Sequence, residues 1–187
     1  MNQTPRYTRT AVTLHWLIAL LMIVNVVLGL AAESLPDSWV RTTIDTHKSI
    51  GITVLGLALL RLLWRFSHRP PALPAAYPSW ERRLSGVVHV LLYVLIFALP
   101  LSGWMHDSAW EGAATHPMAL FGIVPWPRIG WIQNVADPAT KESLHTLFGH
   151  WHVWFGYALY AAFALHLLGA LKHQFVDRHA ELQRMGW

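Results

Sequence analysis

The residues in this chain best suited to bind a cofactor are two histidines of its last hydrophobic segment, His152 and His166. Fourteen residues separate them, which is about 21 Å along an α-helix. Fourteen steps of about 100° bring the second side chain back to within about 40° of the first, so both leave from nearly the same face. This spacing predicts two cofactors bound by one helix, one near each side of an apolar layer about 30 Å thick.

The composition indicates that this helix lies in a membrane. Of the 187 residues, 54% are hydrophobic and only 13% are charged, whereas a soluble domain usually has about 25% charged residues. Cysteine is absent, which excludes thiolate-bound iron–sulfur clusters and thioether-attached haem. The net charge of +4 does not indicate nucleic acid binding, because the basic residues lie at the ends of apolar runs. The expected partner is the lipid bilayer.

The apolar runs predict an all-α fold, an integral membrane four-helix bundle that forms a single domain over residues 1–187. The first run could be a secretory signal peptide, but His15 is unusual in such a segment, so we expect it to be retained as a span. A proline-rich loop follows the second span, and the long loop at 106–143 is expected to lie against the membrane surface. The predicted spans cover residues 14–32, 47–64, 84–105 and 144–172.

The distribution of basic residues predicts the orientation of the bundle. Ten of the 14 Lys and Arg residues lie on the side that holds both chain termini. Loops rich in Lys and Arg remain in the cytoplasm, so both termini are predicted to be cytoplasmic. Arg61, near the end of the second span, is expected to extend its side chain to the interface beside Arg65.

Depth in the membrane sorts the histidines into two levels. His15 and His166 each lie six residues, or about 9 Å, from the basic residue at the cytoplasmic edge of their span. His47 and His152 lie 18 and 20 residues from that edge, or about 27 and 30 Å. His89 also lies six residues from a basic boundary, so by depth it competes with His15 for the inner level.

Haem is the cofactor that these pairs favour. Two neutral imidazoles from different helices are a common axial pair for haem iron in electron transfer, whereas zinc needs three or four protein ligands. Of His15 and His89, one is expected to bind iron and the other to contact a propionate or handle protons for a quinone. His173 is a candidate quinone contact. Four other histidines are expected at the solvated surface: His68, His106, His116 and His179.

The sequence resembles the bacterial four-helix cytochrome b-561 family, which is related to the membrane cytochrome b subunits of hydrogenase and formate dehydrogenase. The resemblance covers essentially the whole chain and depends on several short motifs together. They are Leu14-His15-Trp16, His47, Arg61-Leu62-Leu63-Trp64-Arg65, His89 with the apolar run 91–103, His152 and His166.

The resemblance implies two haem b groups. It pairs His47 with His152 on the outer side and His15 with His166 on the inner side, which leaves His89 as an alternative ligand or as a quinone or propionate contact. It also implies a multi-pass protein of the bacterial inner membrane that exchanges electrons with the quinone pool.

Stand-alone members of this size resemble superoxide oxidase, which implies electron transfer from periplasmic superoxide to ubiquinone. Superoxide is a small anion, so cations near the outer haem would steer it. Lys48, next to His47, and Arg41 are the candidates, although Lys48 could simply anchor a helix end. The alternative is a membrane-anchor subunit that carries electrons between a partner dehydrogenase or hydrogenase and quinone. Four spans with little additional surface favour the first interpretation.

Overall fold

The computed structural model describes residues 6–72, 77–179 and 181–186, and these residues are mostly helical. Four of the helices are long and apolar enough to cross a membrane: α1 (Arg9–Ala32), α2 (Asp37–Ser67), α3 (Ser79–Ala109) and α5 (Pro138–Leu171). Between α3 and α5 lie a 3-10 turn (Glu111–Ala114), the strands β1 (Ala119–Leu120) and β2 (Val124–Pro125), and the short helix α4 (Gly130–Gln133). After α5 come a π-helical turn (Lys172–Val176) and the short helix α6 (Glu181–Arg184).

Side chains cap the first and last long helices at their N-termini. The Thr8 hydroxyl accepts a hydrogen bond from the backbone N–H of Ala11 at 3.3 Å. The Asp137 carboxylate accepts hydrogen bonds from the hydroxyl and the backbone N–H of Thr140, at 2.6 and 2.9 Å. The bonds from Thr140 hold the pKa of Asp137 below its usual value. These caps satisfy backbone N–H groups that have no partner within the helix.

The helices extend beyond the predicted spans. Helix α2 begins at Asp37 rather than residue 47, and α5 begins at Pro138 rather than residue 144. Hydropathy marks only the apolar part of a helix, whereas backbone hydrogen bonding continues through polar residues whose side chains can reach water. The additional turns place polar side chains beyond the edge of the apolar layer.

The long helices pack in chain order, with α1 against α2, α2 against α3, and α3 against α5. One core cluster joins α3 to α5 through Leu95, Leu99, Leu159 and Ala162. A second cluster joins α1 to α2 through Ile18, Ile50 and Val54. Many of the remaining large apolar side chains are exposed. Such exposure is unusual for a soluble monomer and suits helices that face lipid.

The bundle has two distinct ends. At one of them, which we call the terminal end, the segments next to both chain termini meet. The backbone N–H of Tyr7 donates to the carbonyl of Arg184 at 3.2 Å, and the indole N–H of Trp16 donates to the carbonyl of Met185 at 2.8 Å. The opposite end carries β1 and β2, and we call it the hairpin end.

The hairpin is fastened onto α2. Strands β1 and β2 pair antiparallel through a turn in which Phe121 and Gly122 have φ values of 52° and 69°. Positive φ at both central residues matches a type I′ turn, which glycine adopts easily and phenylalanine rarely does. The backbone N–H of Phe121 donates to the hydroxyl of Ser49 at 2.9 Å, and Ser49 lies only two residues after His47. The loop between α3 and α5 is therefore folded and covers the start of the second span.

Candidate functional site

His47 of α2 and His152 of α5 face each other near the hairpin end. Their ring centroids are 6.0 Å apart and their planes make an angle of 77°. Two metal–imidazole bonds, each about 2.0–2.1 Å long, together span about 4 Å. The distances from each coordinating nitrogen to its ring centroid account for the rest of the separation. The pair can therefore hold one metal ion between its rings.

Hydrogen bonds orient both rings of this pair. The Nδ1 atom of His47 lies 2.9 Å from the carbonyl oxygen of Asn25, and that of His152 lies 3.0 Å from the carbonyl oxygen of Leu99. A carbonyl oxygen can only accept, so each Nδ1 carries the proton and each Nε2 keeps its lone pair. Histidines that bind metals usually have this arrangement.

Glycines make these hydrogen bonds possible. A Cβ at Gly29 would lie 3.1 Å from Cε1 of His47, and one at Gly103 would lie 3.2 Å from Cε1 of His152. Each glycine lies four residues after the residue whose carbonyl accepts the hydrogen bond. In a helix, the side chain at that position normally covers this carbonyl. Glycine at this position opens the carbonyl to a ring from the neighbouring helix.

A third histidine uses the same arrangement. His106 Nδ1 donates to the carbonyl of His145 at 2.9 Å, and a Cβ at Gly149, four residues after His145, would lie 3.0 Å from the His106 ring. The two imidazoles stack with centroids 3.9 Å apart, and His145 Nδ1 returns a bond of 3.1 Å to the carbonyl of His106. The expectation that His106 lies on a solvated loop is therefore wrong, because α3 continues to Ala109 and brings this ring against α5.

Three histidines meet at the second level, nearer the terminal end. The ring centroids of His15 and His166 are 6.2 Å apart, close to the separation of the first pair. Those of His89 and His166 are 5.1 Å apart. Two metal–nitrogen bonds of about 2.0–2.1 Å take up about 4 Å of this shorter separation. Only about 1 Å then remains for the two distances from a coordinating nitrogen to the centroid of its ring, which is too little. The separation of the rings thus favours His15 as the partner of His166.

His89 nevertheless has the features of a functional histidine. Its Nδ1 donates to the carbonyl of Ser85 at 2.6 Å, so its Nε2 keeps a lone pair. Its ring meets that of His166 edge-on, at 85°. The structure therefore brings both of the histidines that compete for this level next to His166.

Arg61 lies at this level and extends beside Arg65, as expected: the two guanidinium carbons lie 5.9 and 5.5 Å from the centroid of the Tyr93 ring. Its Nη1 donates to the carbonyl of Ala11 at 2.8 Å, and its Nε donates to the hydroxyl of Tyr93 at 3.1 Å. Ala11 lies four residues, or about one helical turn, from His15, and Tyr93 lies four residues from His89. These acceptors on α1 and α3 hold the guanidinium between the helices. A charged residue inside a predicted span is the signal that could have indicated this role.

The hairpin end contains a cavity of about 200 Å³ with a cationic lining. Arg41, Lys48 and Arg128 line it, together with Asp45. Lys48 Nζ lies 2.6 Å from Asp45 and 3.2 Å from Asp107, and Arg128 Nε lies 2.7 Å from the other oxygen of Asp107. The charge of Lys48, one of the two predicted steering residues, is therefore offset by two carboxylates, and it also ties α2 to α3.

Arg41, the other predicted steering residue, differs from Lys48. Its guanidinium carbon lies 6.0 Å from the centroid of the Trp110 ring, and that ring is also 6.0 Å from the guanidinium carbon of Arg128. Among the described residues, Arg41 has no carboxylate within ion-pair distance. Its charge is thus available to an anion in the cavity.

His173 packs against groups other than the predicted haem ligands. It lies in the π-helical turn after α5, and Tyr77 stacks on its ring with centroids 4.0 Å apart. Carboxylates of Glu81 and Asp177 lie near its two ring nitrogens. One face and both nitrogens of this ring are therefore in contact with protein groups.

Comparison with known proteins agrees with a bundle of membrane-spanning helices. A family model described as prokaryotic cytochrome b561 matches residues 6–187. The chain belongs to this family. It is 30% identical over 186 residues to "Cytochrome b561 homolog 2" of Escherichia coli (strain K12), covering 98% of this chain and 93% of the relative. It is 28% identical over 188 residues to "Probable superoxide oxidase CybB" of Yersinia pestis, covering 96% and 95% of the two chains.

Membership in the cytochrome b561 family makes the chain a multi-pass bacterial membrane protein of electron transfer, and the family binds haem b. The residues present fit this group. Two imidazoles from different helices face each other, and hydrogen bonds to backbone carbonyls leave their Nε2 atoms for iron. The absence of cysteine agrees with a haem that is held without thioether bonds.

Proposed function

We propose that this cytochrome b561 holds two haem b groups, one between His47 and His152 and one between His15 and His166. The two pairs support this assignment because their ring separations, 6.0 and 6.2 Å, are nearly equal and each fits one metal ion. Arg61 lies at the level of the second pair, where its charge would offset that of a propionate. His89 remains the alternative ligand at this level.

We further propose that the protein oxidises superoxide and reduces ubiquinone. Two superoxide anions lose one electron each and become two molecules of oxygen, and one ubiquinone gains these two electrons and two protons to become ubiquinol. Haem, when bound, would supply one-electron chemistry between the donor and the acceptor. The observation that carries this proposal is the cationic cavity at the end of the bundle that holds His47 and His152.

The charge asymmetry supports an orientation for this reaction. The terminal end holds ten of the 14 basic residues, and basic loops remain on the cytoplasmic side. The hairpin end and its cavity then face the periplasm of the bacterial inner membrane, where superoxide would enter.

Arg41 is the residue best placed to steer superoxide. Its charge has no carboxylate partner among the described residues, whereas Lys48 is held by two carboxylates. An excess of positive charge around a cleft raises the association rate of an anion, and salt weakens this effect. Lys48, directly after His47, would hold the wall of the cavity in place.

Quinone has two candidate contacts, and the structure favours one of them. His89 lies within a span beside His166, and its Nε2 has no hydrogen bond to any of the described residues. His173 has protein groups on one face and at both nitrogens. With its proton on Nδ1, neutral His89 would accept a hydrogen bond at Nε2 from a hydroxyl of ubiquinol, and it would donate from Nε2 to a quinone carbonyl only after gaining a second proton.

Mixing the purified, haem-loaded protein with superoxide and a short-chain ubiquinone tests this function. We expect the haem absorption to change to the reduced form, and ubiquinol to appear at a rate that rises with protein concentration. Reduction no faster than the dismutation background would overturn the proposal. That outcome would favour a membrane-anchor cytochrome b subunit that receives its electrons from a partner dehydrogenase or hydrogenase.

Replacing Arg41 by glutamine should slow the reaction with superoxide at low ionic strength, on the order of tenfold or less, and the difference should shrink as salt is added. The control is Lys141→Gln. Lys141 is a cation at the same end, but it donates to the carbonyl of Gln133 and does not line the cavity. Equal rates for both variants at low salt would refute the steering role of Arg41.

Gly103→Ala should weaken haem binding at the hairpin-end pair. The added Cβ would push the His152 ring by a few tenths of an ångström away from the Leu99 carbonyl, and losing such an orienting bond weakens metal binding by about 10- to 100-fold. Gly86→Ala on the same helix is the matched control, because its Cβ would have nothing within 4 Å. Haem titration and the electron paramagnetic resonance spectrum should change in the first variant only.

A further inference from the structure

A pocket between α1, α2 and α3 at the terminal end is lined by two arginines. Arg61 and Arg65 border it, together with the aromatic side chains of Tyr7, Trp64 and Tyr93. Both guanidinium carbons lie near one ring, at 5.9 and 5.5 Å from the centroid of Tyr93. The two haem pairs do not include Arg65, so its charge has no role in the proposed electron transfer.

The two arginines differ in their partners. Arg61 donates from Nη1 to the carbonyl of Ala11 and from Nε to the hydroxyl of Tyr93. The side chain of Arg65 is exposed. Among the residues that the structure describes, Arg65 makes no hydrogen bond, and neither arginine has a carboxylate within ion-pair distance. Like charges four residues apart on one helix repel each other, and an anion beside Arg65 would relieve this repulsion.

The sequence does not supply that anion nearby. Residues 1–32 and 46–80, which form α1 and most of α2, contain no Asp or Glu. Glu81, the first acidic residue after this stretch, is bound by Lys172 of the π-helical turn. The same two ranges carry five arginines on the side of the terminal end, which are Arg6, Arg9, Arg61, Arg65 and Arg69. This part of the molecule therefore has an excess of positive charge.

The depth of Arg65 indicates where its anion comes from. Arg65 follows His47 by 18 residues, or about 27 Å along α2, which places it at the edge of an apolar layer about 30 Å thick. Trp64 beside it is of a residue type enriched at the level of the lipid headgroups. Leu63 and Phe66, in the same turn of α2, are 55% and 78% exposed. A ligand at this site therefore meets a cation next to a lipid-facing apolar surface.

We propose that Arg65 binds the phosphate of a phospholipid with a net negative charge, whose acyl chains lie along the exposed apolar side of α2. A guanidinium offers two parallel N–H donors to phosphate oxygens, and basic pockets between membrane helices bind anionic lipid headgroups. Arg61, one turn deeper in the bundle, keeps its place beside the haem propionate. The lipid site is independent of the donor that reduces the haem.

Lipid binding to the haem-loaded protein, delipidated in mild detergent, tests this site. Native mass spectrometry counts the lipids that each chain retains at increasing lipid concentration. We expect one phosphatidylglycerol per chain to bind more tightly than phosphatidylcholine, which has the same phosphodiester but no net charge. Arg65→Gln should weaken the binding of phosphatidylglycerol by about tenfold, with an unchanged number of haems per chain.

Arg69→Gln is the matched control. Arg69 is an exposed arginine four residues further along the chain, and it does not line the pocket. Its variant has the same net charge as Arg65→Gln and should bind phosphatidylglycerol as the native protein does. Arg65→Lys keeps the charge but cannot donate two parallel N–H bonds, so it should lose less affinity than Arg65→Gln. It also provides the comparison with native protein if Arg65→Gln does not retain haem.

Four results would overturn the proposal. Equal binding of the two lipids would show that no anionic lipid is selected. Equal losses in the Arg65→Gln and Arg69→Gln variants would show that only the net charge attracts lipid. Inorganic phosphate that displaces phosphatidylglycerol at an equal concentration would make this a site for free phosphate. An Arg65→Gln variant with a shifted haem midpoint potential and unchanged lipid binding would make Arg65 a partner of a propionate.

Discussion

Replacing His152 with alanine is expected to remove the haem at the hairpin end and to leave the other haem in place. His152 offers the Nε2 that faces His47, and its Nδ1 is held by the Leu99 carbonyl. Alanine leaves the iron with one protein ligand. Haem per chain should fall from two to one, as measured by extraction against protein concentration. Reduction of the remaining haem by superoxide should also fall to the background, because the proposed entry point is lost.

His150→Ala is the control for this variant. His150 lies two residues away on the same helix, and its side chain is exposed. It should keep both haems and its reactivity with superoxide. A His152→Ala protein that still holds two haems would contradict the assignment of this pair.

His166→Ala is expected to remove the haem at the level nearer the terminal end, whichever histidine binds opposite it. His166 faces both His15 and His89, with centroid distances of 6.2 and 5.1 Å. Haem per chain should again fall to one, but the remaining haem should still be reduced by superoxide, because His47 and His152 are unchanged. The two alanine variants thus lose different haems and differ in their response to superoxide.

His15→Ala and His89→Ala decide which histidine binds opposite His166. The separation of the rings favours His15, so we expect His15→Ala to lose one haem. His89→Ala should keep both haems and instead slow the reduction of quinone. Two haems in His15→Ala together with one in His89→Ala would reverse the assignment at this level.

The broad architecture could be predicted from the sequence, and the structure and the comparisons confirm it. Runs of about 20 apolar residues allow little besides membrane-spanning helices, and the layout of the histidines resembled one family, which the family match confirms. The first and last residues of the helices were less predictable. Asp37 and Pro138 begin their helices well outside the apolar runs, because a helix can continue where the membrane ends. The orientation across the membrane stays a prediction from the basic residues.

The details of the site depend on contacts between helices, which no single sequence reveals. Gly29 and Gly103 look like ordinary helix glycines until the rings of His47 and His152 are seen against them. Depth placed His15 and His89 at one level, and only the ring separations distinguish them. Arg61 was expected to extend beside Arg65 because long cationic side chains usually reach the interface, and the two side chains do lie over one tyrosine ring. The two acceptors that hold its guanidinium come from α1 and α3, and the sequence did not predict them.

The amount of haem per polypeptide in the native protein tests the central claim most directly. Protein purified from a haem-sufficient host should contain two haem b groups per chain, measured from the pyridine haemochrome spectrum against quantitative amino acid analysis. Four histidines in two facing pairs predict this ratio. A ratio of one in fully loaded protein would contradict the account, because one of the two pairs would then have no haem to bind.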